Sequence, residues 1–372
     1  NLGSFLLDRG SYAEALKLFR ESLQVNRETG NESGQALSLN NIGAAYFSTG
    51  QYEDALTYFQ QALQLREKLK VDSDIAETVH NLGEASARVG QYDDALTHYL
   101  RALELYRGAG DKLNVGIESD AIGTVFQSQG RYGASLKVKS EALASVREAG
   151  EGGYWMATVL GGLGQALTLV GRAAEADKPL AEAEAIAQRL GNRALLAQIK
   201  IYQGDRLFYS GDHGGASRVY REASQAASGL SDRRVSLVAR LGEAKAAVED
   251  GRFAPAIVSL KRVAAHAGEL GLKDVVAESS LYLGQALLET KAHTPARQLL
   301  DEALSRSERL GMLGLLARSH YLLGLACEGG GKDVDAARHL AEARRIVADM
   351  AKEARTEALA ARSDLGPIRA GG

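Results

Sequence analysis

A glycine, usually preceded by Leu or Ile, returns along this chain at a nearly fixed interval. It stands at Gly3, Gly43, Gly83, Gly123, Gly164, Gly204, Gly242, Gly284 and Gly324, with successive steps of 40, 40, 40, 41, 40, 38, 42 and 40 residues. A second glycine follows in most units, at Gly10, Gly50, Gly90, Gly130, Gly171, Gly211, Gly251 and Gly331, whereas the eighth unit has Lys291. Small residues keep the same grid at Ala15, Ala55, Ala95, Ser135, Ala176, Ala216, Ala256, Ala296 and Ala336. A further small position recurs seven residues later in most units, as at Ala62, Ala102 and Ala142. Self-similarity at this period is the mark of an array of stacked supersecondary units.

The grid predicts a helical hairpin per unit. Apolar residues around each first glycine recur at helical spacing, as in Leu39, Ile42 and Tyr46. The second glycine ends that helix, because glycine accepts the left-handed cap conformation. A segment such as "YEDAL" at Tyr52 then opens a second helix, with acidic side chains in its first turn where the helix dipole favours them. The small positions let two helices approach, and large knobs such as Phe19, Phe59, Tyr99, Tyr220, Leu260 and Leu300 fill the space beside them. Such a hairpin buries its apolar face only against its neighbours.

The spaced glycines, "GQYEDAL" and the "QAL" that follows resemble the tetratricopeptide repeat over nearly the whole chain. The long period resembles the arrays of Pins, rapsyn and kinesin light chain. The resemblance implies an all-α, right-handed superhelical solenoid of about nine hairpins, whose first helices line a concave groove. The expected organisation is a solenoid over residues 1–334, a last second helix running into a capping helix over 335–363, and a flexible tail over 364–372. An irregularity is expected over 148–180, where "GEGGYW" precedes a unit with Pro179 inside its second helix. Proline there should kink or delay that helix. Lys139 occupies a knob position where a large apolar side chain is expected.

Composition excludes several classes of function. The 44 basic and 47 acidic residues give a net charge of −3, without the clustered cations of a nucleic-acid binder. One cysteine, Cys327, rules out an internal disulfide framework or a thiolate metal site. The seven histidines fall at no metal-ligand spacing. "GGGK" at Gly329 lacks the Ser or Thr of a phosphate loop and falls in a hairpin turn. No enzyme, cofactor or metal is expected. No apolar run is long enough to span a bilayer, and no signal peptide is visible. The expectation is a cytoplasmic protein, or a secreted or surface one if a signal has been removed.

The groove is then the functional surface, and a protein or peptide its expected ligand. The resemblance puts concave positions on the first helices around each anchor glycine. Asparagine recurs two residues before the anchor at Asn1, Asn41 and Asn81. In the resembling adaptors, asparagine there bonds the backbone of an extended peptide; an amide offers donor and acceptor together. Asn40, His80, Glu84, Arg88, Asp120 and Gln127 share that wall. Later units replace the amide, and their wall includes Tyr202, Asp205, Tyr209, Tyr282 and Tyr321. These aromatic positions suit either a partner surface or packing between helices. Leu2, Phe5 and Leu6 form a possible assembly face, because no preceding unit covers them. End-to-end stacking into an oligomer, filament or tube is therefore an alternative expectation, as is a regulatory or sensor segment of a larger signalling protein.

Overall fold

The computed structural model describes residues 2–230, 233–329 and 333–370. The described residues contain helices and turns, with no strand. The helices pair as hairpins: α1 (Leu2–Asp8) with α2 (Tyr12–Glu28), α3 (Glu32–Ser48) with α4 (Tyr52–Leu69), and α5 (Asp72–Arg88) with α6 (Tyr92–Ala109). Next come α7 (Lys112–Ser128) with α8 (Tyr132–Glu148), α9 (Tyr154–Leu169) with α10 (Ala173–Arg189), and α11 (Arg193–Tyr209) with α12 (His213–Ala226). The last three are α13 (Arg233–Glu249) with α14 (Phe253–Glu269), α15 (Lys273–Glu289) with α16 (His293–Leu310), and α17 (Leu313–Glu328) with α18 (Asp333–Ala354).

The grid acquires a physical cause in the packing. Most anchor glycines lie under the knob of their own hairpin's second helix: a Cβ on Gly43 would sit 2.7 Å from the Phe59 ring, and one on Gly83 2.7 Å from Tyr99, whereas Gly242 lies under Tyr220 of the preceding hairpin. The small positions Ala15, Ala55, Ala95, Ala216 and Ala296 are fully buried where helices cross. Gly90, at φ +80°, ends α5 in the left-handed region, and Lys291 adopts the same region at φ +63° where the eighth unit lacks glycine. In several turns, three between units and one inside the sixth hairpin, an Asn or Asp caps the next helix. Asn31, Asp111, Asn192 and Asp212 each accept the N–H three residues on, at 2.8–3.0 Å.

Lys139 is buried at the fourth knob, and its Nζ donates to the Asp120 carboxylate at 2.8 Å, the Asp120 carbonyl at 3.1 Å and Thr124 Oγ1 at 3.0 Å. Gly162 makes room for this cluster, since a Cβ there would meet Asp120 Oδ1 at 2.5 Å. The second helix of the fifth unit is not delayed: α10 begins at Ala173, nine residues after its anchor Gly164, and runs through Pro179.

The superhelix closes on itself. A Cβ on Gly50 would touch Leu270, one on Gly90 would come within 2.6 Å of Leu310, and one on Gly130 within 2.9 Å of Leu313. The Leu313 N–H reaches the Gln129 carbonyl at 3.4 Å. Both oxygens of Glu353, at the end of α18, accept the first free N–H groups of α8, from Gly133 and Ala134, at 2.8 Å. The hairpin turns of the second to fourth units thus meet elements five to six units further along. Tyr52 and Val89 belong to the same apolar core as Tyr220, Leu260 and Leu281.

The C-terminal region departs from expectation. The second helix expected to run into a capping helix over 335–363 is divided, because Arg355 turns left-handed at φ +52° and ends α18 at Ala354. A 3-10 turn (Glu357–Ala361) and α19 (Gly366–Ala370) follow. Leu365 and Ile368, in the stretch expected to be a flexible tail, are buried with Met350 and Leu359. This return lies where another unit would stack on the fifth and sixth: Arg362 donates to the Leu169 carbonyl at 3.0 Å, and the Ser363 N–H to the Tyr209 carbonyl at 3.0 Å. The hairpin-turn residues Gly331 and Lys332 lie outside the described residues.

Candidate peptide groove

The inner wall has two chemically different halves. On the first, an amide ladder crosses helices: Asn81 Nδ2 donates to Asn40 Oδ1 at 3.1 Å, and Asn40 Nδ2 donates to Glu77 Oε1 at 3.1 Å. Asn40 is buried in that ladder. Asn41, half-buried one residue on, engages no partner among the described residues. Asn1 lies outside the described residues.

His80 stands beside the ladder with its ring partly exposed, and its Nδ1 lies 2.7 Å from Glu118 Oε1. Burial alone would lower the His80 pKa. The hydrogen bond to Glu118 and its charge, with Glu84 and Glu77 nearby, push it up to about 9. Burial raises the Glu118 pKa, which the His80 contact only partly offsets. The pair leaves two groups unspent: the second nitrogen of the imidazolium and the buried, unpartnered Glu118 Oε2. Glu84 and Arg88 are half-buried on the same helix, and the Arg88 guanidinium lies 5.5 Å from the Phe47 ring centre. Asp120 is held by Lys139, and the Gln127 amide nitrogen is buried without a partner.

The second half is filled by its own side chains. Asp205 accepts from the Tyr220 hydroxyl at 2.5 Å and from Gln165 at 2.8 Å, and burial raises its pKa. Lys245 is buried between Phe208 and Tyr282, with its ammonium 2.5 Å from Glu278 Oε1. Tyr282 is buried, and its hydroxyl accepts from Arg318, which also binds Glu249 at 3.0 Å and Gln285 at 2.8 Å. Tyr209 lies under the Arg362 guanidinium at 4.0 Å, and Tyr321 packs beside the C-terminal return. Tyr202 is half-buried against the fifth unit at Gly161. At these five positions the aromatic and acidic side chains serve packing between units.

Sequence reasoning missed Lys245, Arg318, Glu118 and Arg362. Lys245 carried a usable signal, since it is the one cation in the first-helix run "GEAKAAV". Leu2 and Phe5 are exposed on α1, while Leu6 is partly buried against the Phe19 core. Among the described residues no cluster of His, Cys, Asp and Glu could hold a metal, and no helix is long and apolar enough to cross a membrane.

Stacked α-hairpins, small residues at the crossings and an inner wall of first helices define a helical-repeat solenoid. The chain belongs to the tetratricopeptide repeat family: two profiles of that description match residues 1–68, 74–148 and 117–189, and residues 241–310. A comparison with curated sequences returned no match. Among solved structures, a Rap protein complexed with competence and sporulation factor superposes with TM-score 0.69 at 15% identity, covering 95% of this chain and 97% of that one. The Rap conjugation gene regulator of plasmid pLS20, in complex with the Phr* peptide, gives 0.62 at 16% identity, over 76% and 77%. The human IFIT1 dimer with PPP-AAAA gives 0.56 at 17% identity, over 99% and 84%.

Proposed function

We propose that this protein is a non-catalytic interaction scaffold that holds an extended peptide segment of a protein partner against the inner wall of its second to fourth units. The observation that carries this reading is the contrast between the two halves of the wall. The later units spend their polar groups on one another, whereas Asn41 and the second imidazolium nitrogen of His80 have no partner among the described residues beside the Asn81–Asn40 ladder. An amide and a charged N–H donor suit the alternating carbonyl and N–H groups of an extended backbone. The Phr* peptide in one structural relative supports the same reading.

The test begins with affinity capture of partners, followed by mapping of the bound segment as a synthetic peptide. Replacing both Asn41 and Asn81 by Ala should weaken that peptide by about 1–3 kcal/mol, at 0.5–1.5 kcal/mol per hydrogen bond, with the helical spectrum unchanged. Equal affinity in the double variant would move the site off this wall.

A further inference from the structure

At the far end of the array, one face of α18 is left open. In the preceding hairpins the corresponding face of the second helix is covered by the first helix of the next unit. Among the described residues, the 3-10 turn and the short α19 cover part of that face of α18, and α8 meets its C-terminal end. The remainder is a groove of roughly 530 Å³. Its axis follows Arg344, Ala348 and Ala351, a stripe at helical spacing, with Arg355 just past the helix end; the whole runs for about 15 Å at 1.5 Å per helical residue. Val347, Ala351 and Ala360 make a buried, apolar floor.

The rim is basic. Arg344, Lys352, Arg355 and Arg369 border the groove, with Glu357 the acid among the lining residues. Glu357 is engaged by Arg369 at 3.2 Å. Arg345, beside the groove, is already held by Glu342 and Asp349. Arg344, Lys352 and Arg355 are exposed and make no ion pair among the described residues. Three unspent cations around an apolar slot, on a chain whose net charge is −3, form a local field opposite to that of the molecule as a whole.

We propose that this groove binds an acidic amphipathic helix of a partner protein. The helix would lay small or apolar side chains on Val347, Ala348 and Ala351, and set carboxylates against Arg344, Lys352 and Arg355. The shape selects a helix. The slot lies on the face that, in the preceding hairpins, seats the next unit's first helix, and the small residues on its floor permit close approach. The charge selects acidic flanks, since like charges on the rim would be repelled and unpaired carboxylates are wanting. A membrane surface fits less well, because membrane-binding elements project their apolar residues, and here these lie at the bottom of a concavity. The site is separate from the inner wall of the early units, so a peptide could occupy one while a helix occupies the other.

The test is a selection from a displayed library of helical peptides about 16 residues long, enough for the three-turn stripe and its flanks. The bait is the full chain, with counter-selection against its Arg344→Glu/Lys352→Glu variant. Both positions are exposed, and a matching thermal melt confirms that the variant is folded. The expected outcome is enrichment of net-negative sequences with apolar residues at i, i+3/i+4 and i+7. One such peptide, followed by fluorescence anisotropy, should lose about tenfold or more in affinity to Arg344→Gln/Lys352→Gln. It should bind more weakly as salt rises. No enrichment, or an enriched pool without acidic bias, would overturn the proposal. So would displacement of the selected peptide by phosphatidylserine vesicles or by a second copy of the chain at lower concentration than by acidic helix.

Discussion

Ala95 has no exposed surface where α5 and α6 cross, and the Tyr99 ring one turn along covers Gly83. Replacing Ala95 by Leu should cost about 1–3 kcal/mol through overpacking, read as a lower urea midpoint at unchanged slope. That register was legible in the sequence because it depends on side-chain volume alone, and volume repeats with the period. Charge at the wall was not legible. Nothing in the spacing says that Glu118 lies beneath His80, one unit away, or that Asn40 is buried against Glu77 while Asn41 stays half-buried without a partner among the described residues. The His80 pair also has a pH signature. Its folded pKa of about 9 exceeds the ordinary histidine value of 6.5, so its contribution is fully present below 6.5 and is lost as pH rises through 9. Stability should therefore fall over that window by on the order of 1–3 kcal/mol. In Glu118→Gln that fall should largely disappear, which chemical denaturation at a series of pH values would register.

At the scale of the element, the fourth hairpin replaces an apolar knob with an ion pair. A buried pair is costly to break from one side, because the remaining charge has no water to return to. Asp120→Ala should thus destabilise the chain by about 3–5 kcal/mol, whereas Asp120→Ala combined with Lys139→Leu should recover most of the loss. A thermal melt of both variants decides between this account and a surface role for Lys139. The sequence marked Lys139 as irregular, but its explanation sits in the neighbouring unit, at Gly162, where a missing side chain leaves the space. The end of α18 was hidden for a different reason. "MAKEARTEALAARS" has the composition of one helix, and only the docking of Leu359, Leu365 and Ile368 on Met350 reveals why the chain turns back at Arg355.

Over the whole molecule, the contact between successive superhelical turns distinguishes this array from a simple row of hairpins. The 40-residue period carries no information about pitch, so the meeting of Gly90 with Leu310 could not be read from it; the one hint was leucine at Leu270, Leu310 and Leu313, at helix ends flanking the turns between units, where polar residues are usual. Gly133 reports on this contact directly. It lies in the first turn of α8, and a Cβ there would come within 2.6 Å of the Glu353 carbonyl oxygen and 2.8 Å of Ala354 Cα. Gly133→Val should leave the helical spectrum intact, enlarge the radius of gyration in X-ray scattering and speed amide exchange in the last turn of α18. Unchanged scattering would mean that the turns are not held together there.

An open solenoid is modular: a unit touches only its two neighbours, so units can be gained or lost without disturbing the remainder. Here the turn at Gly90 is matched to a leucine some 220 residues away, and the N-terminus of α8 to one carboxylate at the end of the ninth hairpin. Inserting or deleting a single hairpin between those points would present each loop with the wrong partner. The number of units is thereby tied to the fold itself, and a lineage carrying this architecture is free to change the surface of each hairpin but not to change their count one at a time. The same distant matches raise the contact order of an otherwise local, helical chain, so its last folding step should be the slow closure of the coil rather than the growth of any hairpin.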